Sequence, residues 1–489
     1  VGEPSNFGVI GRNILKASRP DVLDAISVGK ILKLVMPLHK ENSDKIEKLH
    51  SFYRGDQDIL ERTKEARPEI THNIVENRAY EIVQFKKGYE FSNPVQYVNI
   101  GLPEMNAHVE MLNKFARADG RQSKDLSTAK RIYISGNGYK LCLQNPYFDS
   151  DSAPYITTVL DPSETFIVYS SDNGIPIIAG KFVSQIGDDG KSKIYRTFVY
   201  TDTATFEWVS DDKDFEEYDE VEPENVGTNG IGIIPIIEYV NDDDRIGHIE
   251  VVYDLLNALN TLASNRVEDV EQFVQSLLVL INTELKQDPN NPEKYIVPRT
   301  GDVLMIGNGT VGADAKFLSA QLSQSDTQIL ADCILRTIYR IVGIPTPGNQ
   351  GQAQSGGSTG QAEFVRNDWG LSDSRSMTTL AHYEESERQL LRVILNICRA
   401  TQAVDIGDIT LHDIKVQTTR NKFDNIQMKS QTLQVLLRSG VPFEDAALVA
   451  DLFPDISAVK ARMDIIDKEL EALEGNQGDV SLDGTDDVK

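Results

Sequence analysis

From His248 to Asp288 the chain contains neither glycine nor proline. These are the residues that most readily end a helix, glycine through backbone entropy and proline through its missing N–H donor. Within the run, apolar residues fall at Ile249, Val252, Leu255, Leu259, Leu262, Val267, Val270, Val274, Leu277 and Ile281. Spacings of three and four place most of them on one side of a helix with 3.6 residues per turn. The run predicts an amphipathic helix of about 35 residues, roughly 50 Å long. An average helix has about 11 to 12 residues. One this long has to pack against copies of itself or span between domains.

A second patterned helix is predicted at 322–342, carried by Ile329, Leu330, Cys333, Ile334, Ile338, Ile341 and Val342. Between the two helices, three prolines and strand-like pieces such as YIV and VLMI read as a compact β-containing tip. Directly after the second helix comes GIPTPGNQGQAQSGGSTGQAEF, beginning at Gly343. Its Gly, Gln and Ser content cannot bury enough apolar surface to fold alone. Yet it lies deep in the chain, between helical segments. Beyond it, 362–402 reads as a long helix interrupted at Gly370, 408–419 as a strand, and 425 onward as helices broken at Gly440-Val441-Pro442 and Pro454. The acidic tail from Gly475 reads as disordered.

The first half is different. Residues 1–50 mix helical and polar segments. From Asp56 a helix is expected, then a break at Pro68, then a helix carried by Ile74, Val75, Ala79, Ile82 and Phe85. Short helices follow at 103–117 and 122–134, ended by Gly136-Asn137-Gly138. YKLCLQN, YITTVL, TFIVYSS, PIIAGKFVSQ, KIYRTFVYT and ATFEWVS then read as an antiparallel meander, with turns at Asp161-Pro162, Asp172-Asn173-Gly174 and Asp188-Asp189-Gly190. The acidic SDDKDFEEYDEVEPE reads as a solvated loop.

At 489 residues the chain is long enough for two or more domains. Its formal net charge of −26 sets it apart from static duplex-DNA binders, which present a basic face to phosphate. Cys142, Cys333 and Cys398 are far apart, which suggests buried free thiols rather than disulfides or a zinc site. VGEPSNFGVIGRN has no signal-peptide pattern, and no run reaches the roughly 18 to 20 apolar residues of a membrane span. There is no GxxxxGK[ST], HExxH or GxSxG. GNGTVG at 307–312 fits GxGxxG but lacks a βαβ context, so it reads as a turn. Asn308-Gly309-Thr310 is a sequon without a secretory route, and Arg54-Gly55-Asp56 reads as a turn with Asp56 capping the next helix. Asp242-Asp243-Asp244 admits two readings: a metal-dependent nuclease or hydrolase centre, or helix capping and dipole complement. The capping reading is the plainer one, because no second carboxylate motif completes a metal site. No cofactor and no metal are expected.

Several stretches resemble one family. FYRGDQDILER, LDPSETFIVYSSDNGIPIIAGKFV and GIGIIPIIEYVNDDDRIGHIEVVYDLLNALNTLASNRVEDVEQF occur in order and resemble the portal (head–tail connector) proteins of tailed bacteriophages, siphovirus type. The resemblance covers about 50–470 and implies an α+β portal-type fold with long stem helices, β-rich wing, small α/β clip and helical crown. It implies a wing at 1–245 and 362–424, stem helices at 246–286 and 318–342, a clip at 287–317, a tunnel loop at 343–361 and a crown at 425–475. It further implies no catalysis and a homo-oligomeric ring, usually of twelve subunits, at one capsid vertex of the virion, assembled in the host cytoplasm. Double-stranded DNA would pass through this ring in packaging and ejection. Partners would be the terminase large subunit, a head–tail connector or adaptor protein, and the major capsid and scaffolding proteins, with no membrane. Another phage structural scaffold, without an open channel, is the remaining alternative.

In that frame the polar loop has a physical reason. Asn349, Gln350, Gln352, Gln354, Ser355, Ser358 and Gln361 would face DNA and exchange hydrogen bonds with phosphate without the salt-dependent grip of Lys or Arg. Arg336 and Arg340, four apart on one helix face, would either form a sparse basic ring in the channel or pair with acids between subunits. Tyr295, Ile296, Val297, Arg299, Val303 and Leu304 would lie in the clip and meet partners.

Overall fold

The computed structural model describes residues 8, 10–64, 71–187, 192–212, 215, 217–274, 277–281, 287–288, 291–295, 314–318, 324–346, 369–420 and 426–450, with a few positions between 452 and 466. Contacts divide the chain into two units. The first, the body, comprises 8–53, 79–251 and 340–489. The second, the helix unit, comprises 1–7, 54–78 and 252–339.

The chain opens with β1 (Lys16–Ala17) and α1 (Ala25–Arg54), then α2 (Arg78–Phe91), β2 (Gln96–Asn99), α3 (Asn106–Ala118) and α4 (Arg121–Ser135). Strands follow: β3 (Asn137–Gln144), β4 (Tyr155–Leu160), β5 (Thr165–Ser170), β6 (Pro176–Ile186), β7 (Lys193–Tyr200), β8 (Ala204–Ser210), β9 (Asn225–Thr228) and β10 (Ile236–Val240). One helical turn, α5 (His248–Val251), leads to α6 (Tyr253–Val274), β11 (Leu277–Ile281), β12 (Gln287–Asp288), β13 (Asn291–Tyr295), β14 (Asp314–Leu318) and α7 (Gln324–Val342). The chain continues with α8 (Trp369–Ala400), β15 (Ile414–Gln417), α9 (Ile426–Arg438) and α10 (Phe443–Ala450).

The expected strands form, but not as one meander. β5 to β8 are antiparallel neighbours in a six-stranded sheet of order β1-β5-β6-β7-β8-β9, whereas β3 and β4 join β10 in a separate three-stranded sheet. Strand alternation explains the layering. Phe166 and Val168 of β5, with Ile178, Val199, Phe206 and Trp208, face the inner side of α1 at Val28, Ile31, Leu32 and Val35. Ile167 and Ala179 belong to a second cluster, with Tyr139, Leu141 and Ile236 of the three-stranded sheet. The six-stranded sheet is thus apolar on both faces. β2 pairs with β15, which spans only four residues of the expected 408–419 strand; a 3-10 turn at Leu411–Asp413 precedes it.

Residues 1–50 hold more helix than their mixed composition suggests. α1 runs for 30 residues with Pro37 inside it. Asp24 starts it by accepting the Ser27 N–H at 2.8 Å, a side-chain N-cap. It ends at Arg54, followed by Gly55 at φ +103°, so Arg54-Gly55-Asp56 terminates one helix instead of capping the next. The next 3-10 turn, Asp58–Glu61, has Gln57 at its N-cap position. Ile74 and Val75 lie outside any helix; α2 begins at Arg78.

The long Gly- and Pro-free run does not stay helical either. α5 breaks at Val252, α6 spans 22 residues, and Leu277–Ile281 pairs antiparallel with Asp314–Leu318. A short continuous apolar run such as LLVLI suits a buried strand as well as a helix, and periodicity alone does not separate them. The ladder to β14 decides the matter. The turn at 188–190, GNGTVG and the sequon lie outside the described residues.

Candidate functional site

In the helix unit, α6 carries buried polar residues one turn apart: Asn260, Ser264 and Glu268. Each accepts a backbone N–H from the segment 72–76. His72 N donates to Glu268 Oε1 (3.1 Å), Ile74 N to Ser264 Oγ (3.0 Å) and Glu76 N to Asn260 Oδ1 (2.8 Å). Two extended residues advance about 6.6 Å, and four helical residues about 6 Å. The two periods match closely enough for three consecutive bonds, which satisfy a backbone that has no sheet partner. Glu268 also pairs with Lys64. Burial pushes its carboxyl up, but the bonds from Lys64 and His72 outweigh this and hold it below the ordinary glutamate range. Asp58 accepts from Tyr253 (2.8 Å) and Asn257 (2.9 Å), tying the 3-10 turn to the start of α6.

Between α6 and α7, β11 pairs with β14 and β12 with β13. Tyr295 is the last residue of β13, opposite Gln287. Ile296, Val297, Arg299, Val303 and Leu304 lie outside the described residues. Arg266 of α6 donates to Gln328 of α7 at 2.7 Å, and Gln328 to Asp332 at 2.7 Å. Arg336 and Arg340 are both exposed on α7, and neither has an ion-pair partner among the described residues. Cys333 shares this outward side and is exposed, contrary to the expectation of a buried thiol. Cys142 and Cys398 are buried, and burial pushes the Cys398 thiol up to about 12.

In the body, α7 ends at Gly343, whose φ of +72° is the left-handed C-terminal signal. Arg375 of α8 donates to the Ile341 carbonyl, one of those left unpaired at a helix end. A Cβ on Gly343 would lie 2.7 Å from Arg375 Cδ, so the glycine also admits this close approach. Farther up α8, Trp369 packs on Phe85 and Tyr89, with ring centroids 6.2 and 5.7 Å apart. Asn349, Gln350, Gln352, Gln354, Ser355, Ser358 and Gln361 lie outside the described residues. Sequence reading missed Arg375. Its only local signal is a cation, and the helix end that it meets is 34 residues away.

The body also buries charge. Lys140 Nζ lies 2.6 Å from Asp125 and 3.1 Å from Glu387, and Arg121 Nη2 lies 2.7 Å from Glu387. Tyr239 donates to Glu387 (2.7 Å) and Tyr383 to Asp125 (2.7 Å). Burial pushes the Glu387 carboxyl up; Lys140 and Arg121 more than offset it and hold it at about 2. The cluster balances two cations against two anions and joins α4, β3, β10 and α8. It is structural in character, since each charge is consumed by another.

Asp242-Asp243-Asp244 does not cap α5 or α6. Asp242 closes the turn before α5, its Oδ1 accepting from Ile246 N (2.8 Å) and its carbonyl from Arg245 N (3.2 Å), and the Asp244 carbonyl accepts from Arg12 N (3.1 Å), tying residue 12 to this turn. Among the described residues no group of His, Cys, Asp and Glu is placed to hold a metal, and no helix is long and apolar enough to cross a membrane.

The sheets of the body and the helix–strand–helix unit define a mixed helix-and-sheet protein. A family model described as phage portal protein, SPP1 Gp6-like, matches residues 33–475, and the chain belongs to this family. Its function is that of a phage portal, and the family is structural. Among solved structures, the neck of an empty gene transfer agent particle computed with C6 symmetry is 13% identical, with a TM-score of 0.45 and 78% of this chain and 91% of that chain covered. The virion of the native gene transfer agent particle gives 13% identity and a TM-score of 0.40, covering 77% and 90%. The neck of the native particle computed with C12 symmetry gives 13% and 0.38, again covering 77% and 90%. No curated protein matches the sequence.

Proposed function

We propose that the chain assembles into a homo-oligomeric ring, usually of twelve copies in this family, at one vertex of the capsid. Duplex DNA passes through its channel in packaging and ejection. The observation that carries this reading is the family match across residues 33–475, which takes in both units. Within it, α6 and α7 serve as the stem, β11–β14 as the clip and the body sheets with α8 as the wing. The clip then starts at β11, earlier than the 287 expected from sequence.

Residues 343–361 act as the tunnel loop, with Asn349, Gln350, Gln352, Gln354, Ser355, Ser358 and Gln361 touching DNA without gripping it. Arg375 fixes where this loop leaves α7. Tyr295, Ile296, Val297, Arg299, Val303 and Leu304 meet the terminase large subunit and later the head–tail connector or adaptor. Capsid and scaffolding proteins meet the outer body during assembly in the host cytoplasm, and the ring has no catalytic role of its own.

Electron microscopy of the purified protein tests the ring. End-on views with a central hole that admits duplex DNA are expected; monomers or solid particles under all salt conditions would overturn it. Shortening 349–358 is expected to spare ring formation and impair packaging or DNA retention. Normal packaging and retention would remove the loop from the mechanism.

A further inference from the structure

We infer that β9, the outer strand of the six-stranded sheet, is a docking edge for an extended, lysine- or arginine-rich segment of another protein. β9 stands last in the strand order, and β8 is its one neighbour among the described residues. The register sets Phe206 opposite Val226 and Thr205 opposite Gly227, and Asn229 N donates to the Thr203 carbonyl at 2.9 Å. In an antiparallel ladder, bonded and non-bonded pairs alternate. Asn225 and Gly227 therefore turn their N–H and C=O groups to β8, while Val226 and Thr228 turn theirs outward. All four residues of β9 are exposed. Other outer edges of the body are closed by side chains. Asn113 takes both outward groups of Tyr97 in β2, accepting from its N–H (3.0 Å) and donating to its carbonyl (2.8 Å). Asp119 accepts the Thr157 N–H of β4 at 3.1 Å. Among the described residues no side chain does this for Val226 or Thr228. Native proteins guard open edges with proline, lysine or an inward charge. Asn225-Val226-Gly227-Thr228 has none of these. Unpaired backbone groups at every second residue fit an extended chain that adds a strand.

Charge selects the ligand. The segment leading into β9 is fixed to the body: Tyr218 belongs to the core between α1 and the sheet, and Trp208 Nε1 donates to the Val221 carbonyl at 3.0 Å. Glu222 and Glu224 are thereby held just before the strand, exposed and without an ion pair among the described residues. Their carboxylates complement a cationic segment and repel phosphate, so nucleic acid is not the ligand. Nor does charge favour a second copy, since both edges would carry the same carboxylates and each chain a net charge of −26.

The test uses the full chain and a fluorescein-labelled peptide, Lys-Val-Lys-Thr-Lys-Val, read by fluorescence anisotropy. Saturable binding is expected. The same peptide N-methylated at every residue, which cannot donate to a ladder, is expected to bind about tenfold more weakly. A counterpart with Glu for Lys is expected to lose about as much. Val226→Pro removes one outward N–H and leaves the bonds to β8, so circular dichroism is expected to match the wild type and affinity to fall about fivefold. On the unaltered chain, bound peptide is expected to slow hydrogen exchange at Val226 and Thr228 about tenfold and to leave Gly227 unchanged. No binding, affinity that ignores N-methylation, or exchange at Val226 and Thr228 that does not respond to bound peptide would overturn the inference. Binding to dilute subunits that disappears in assembled rings would give the edge to a second copy and overturn it as well. The ring proposed above is decided separately, by electron microscopy.

Discussion

The body and the helix unit both bury polar side chains, but for different ends. In the body, charge is buried against charge: Lys140 and Arg121 against Asp125 and Glu387, which bring the adjacent α4 and β3 together with the distant α8. In the helix unit, Asn260, Ser264 and Glu268 of one helix serve the backbone of one extended segment. The first arrangement is all-or-none, because removing one charge strands another in a medium that hydrates it poorly. The second is modular, because each bond satisfies one N–H and its loss leaves the others in place. This part of the body therefore requires α8 to meet α4 and β3 across about 250 residues with all four charges in place, whereas residues 72–76 are attached to α6 rung by rung.

The largest effect is expected from Glu387→Gln, which leaves Lys140 and Arg121 with only Asp125. A loss of roughly 3–5 kcal/mol is expected, read as an earlier body transition in urea. A change under 1 kcal/mol would break the contrast with the ladder. Acid comes next. His39 is buried between Phe166 and Phe182, and burial lowers its pKa to about 4, only partly opposed by a hydrogen bond to Ser163. The unfolded chain binds this proton first, near pH 6.5, so stability falls as pH drops from about 6.5 to 4, by about 3 kcal/mol at most. Below that, Glu387 contributes in the same direction. Its folded pKa is depressed, so its share is present above about 4.5 and lost as pH falls toward 2. Melting temperature measured from pH 7 to 4 is expected to decline, and His39→Phe to flatten that decline.

Ser264→Ala removes one rung of the ladder. A cost of about 1–3 kcal/mol is expected, with faster hydrogen exchange at Ile74 and an unchanged body transition. If the body transition moves equally, the ladder is not modular. The smallest effect on folding belongs to Arg336→Gln with Arg340→Gln, within about 0.5 kcal/mol because both are exposed. The ring then separates their two roles. An intact ring with altered packaging assigns them to the channel, and a weakened ring assigns them to pairing between subunits.

Much of the architecture was legible where two local signals agreed. Gly136, at φ +82°, ends α4 where Gly-Asn-Gly announced it, because only glycine takes that conformation without strain. β5 to β8 follow β-branched and aromatic runs, two of them joined by the turn around Asp172-Asn173-Gly174. α7 begins within two residues of the expected 322 and ends at the expected 342. Where one signal stood alone, the reading failed. Ile74 and Val75 fitted a helical period but had no partner face, and they lie extended along α6. LLVLI fitted both periods and took the one that its partner DAKFL allowed.

By itself, then, the sequence determined the local elements with agreeing period and turn chemistry, the acidic character of the chain, and the order of stretches that marks the portal family. These rest on interactions within a few residues, or on the residues themselves. Only the tertiary structure decided that β3 and β4 leave the main sheet for β10, that α6 stops at Val274, that Cys333 faces outward and that Arg375 closes the end of α7. Each of these depends on which distant surface supplies the missing hydrogen bond or apolar contact. The strength of such a contact exceeds the small preferences, of order 1 kcal/mol or less, that a residue carries alone.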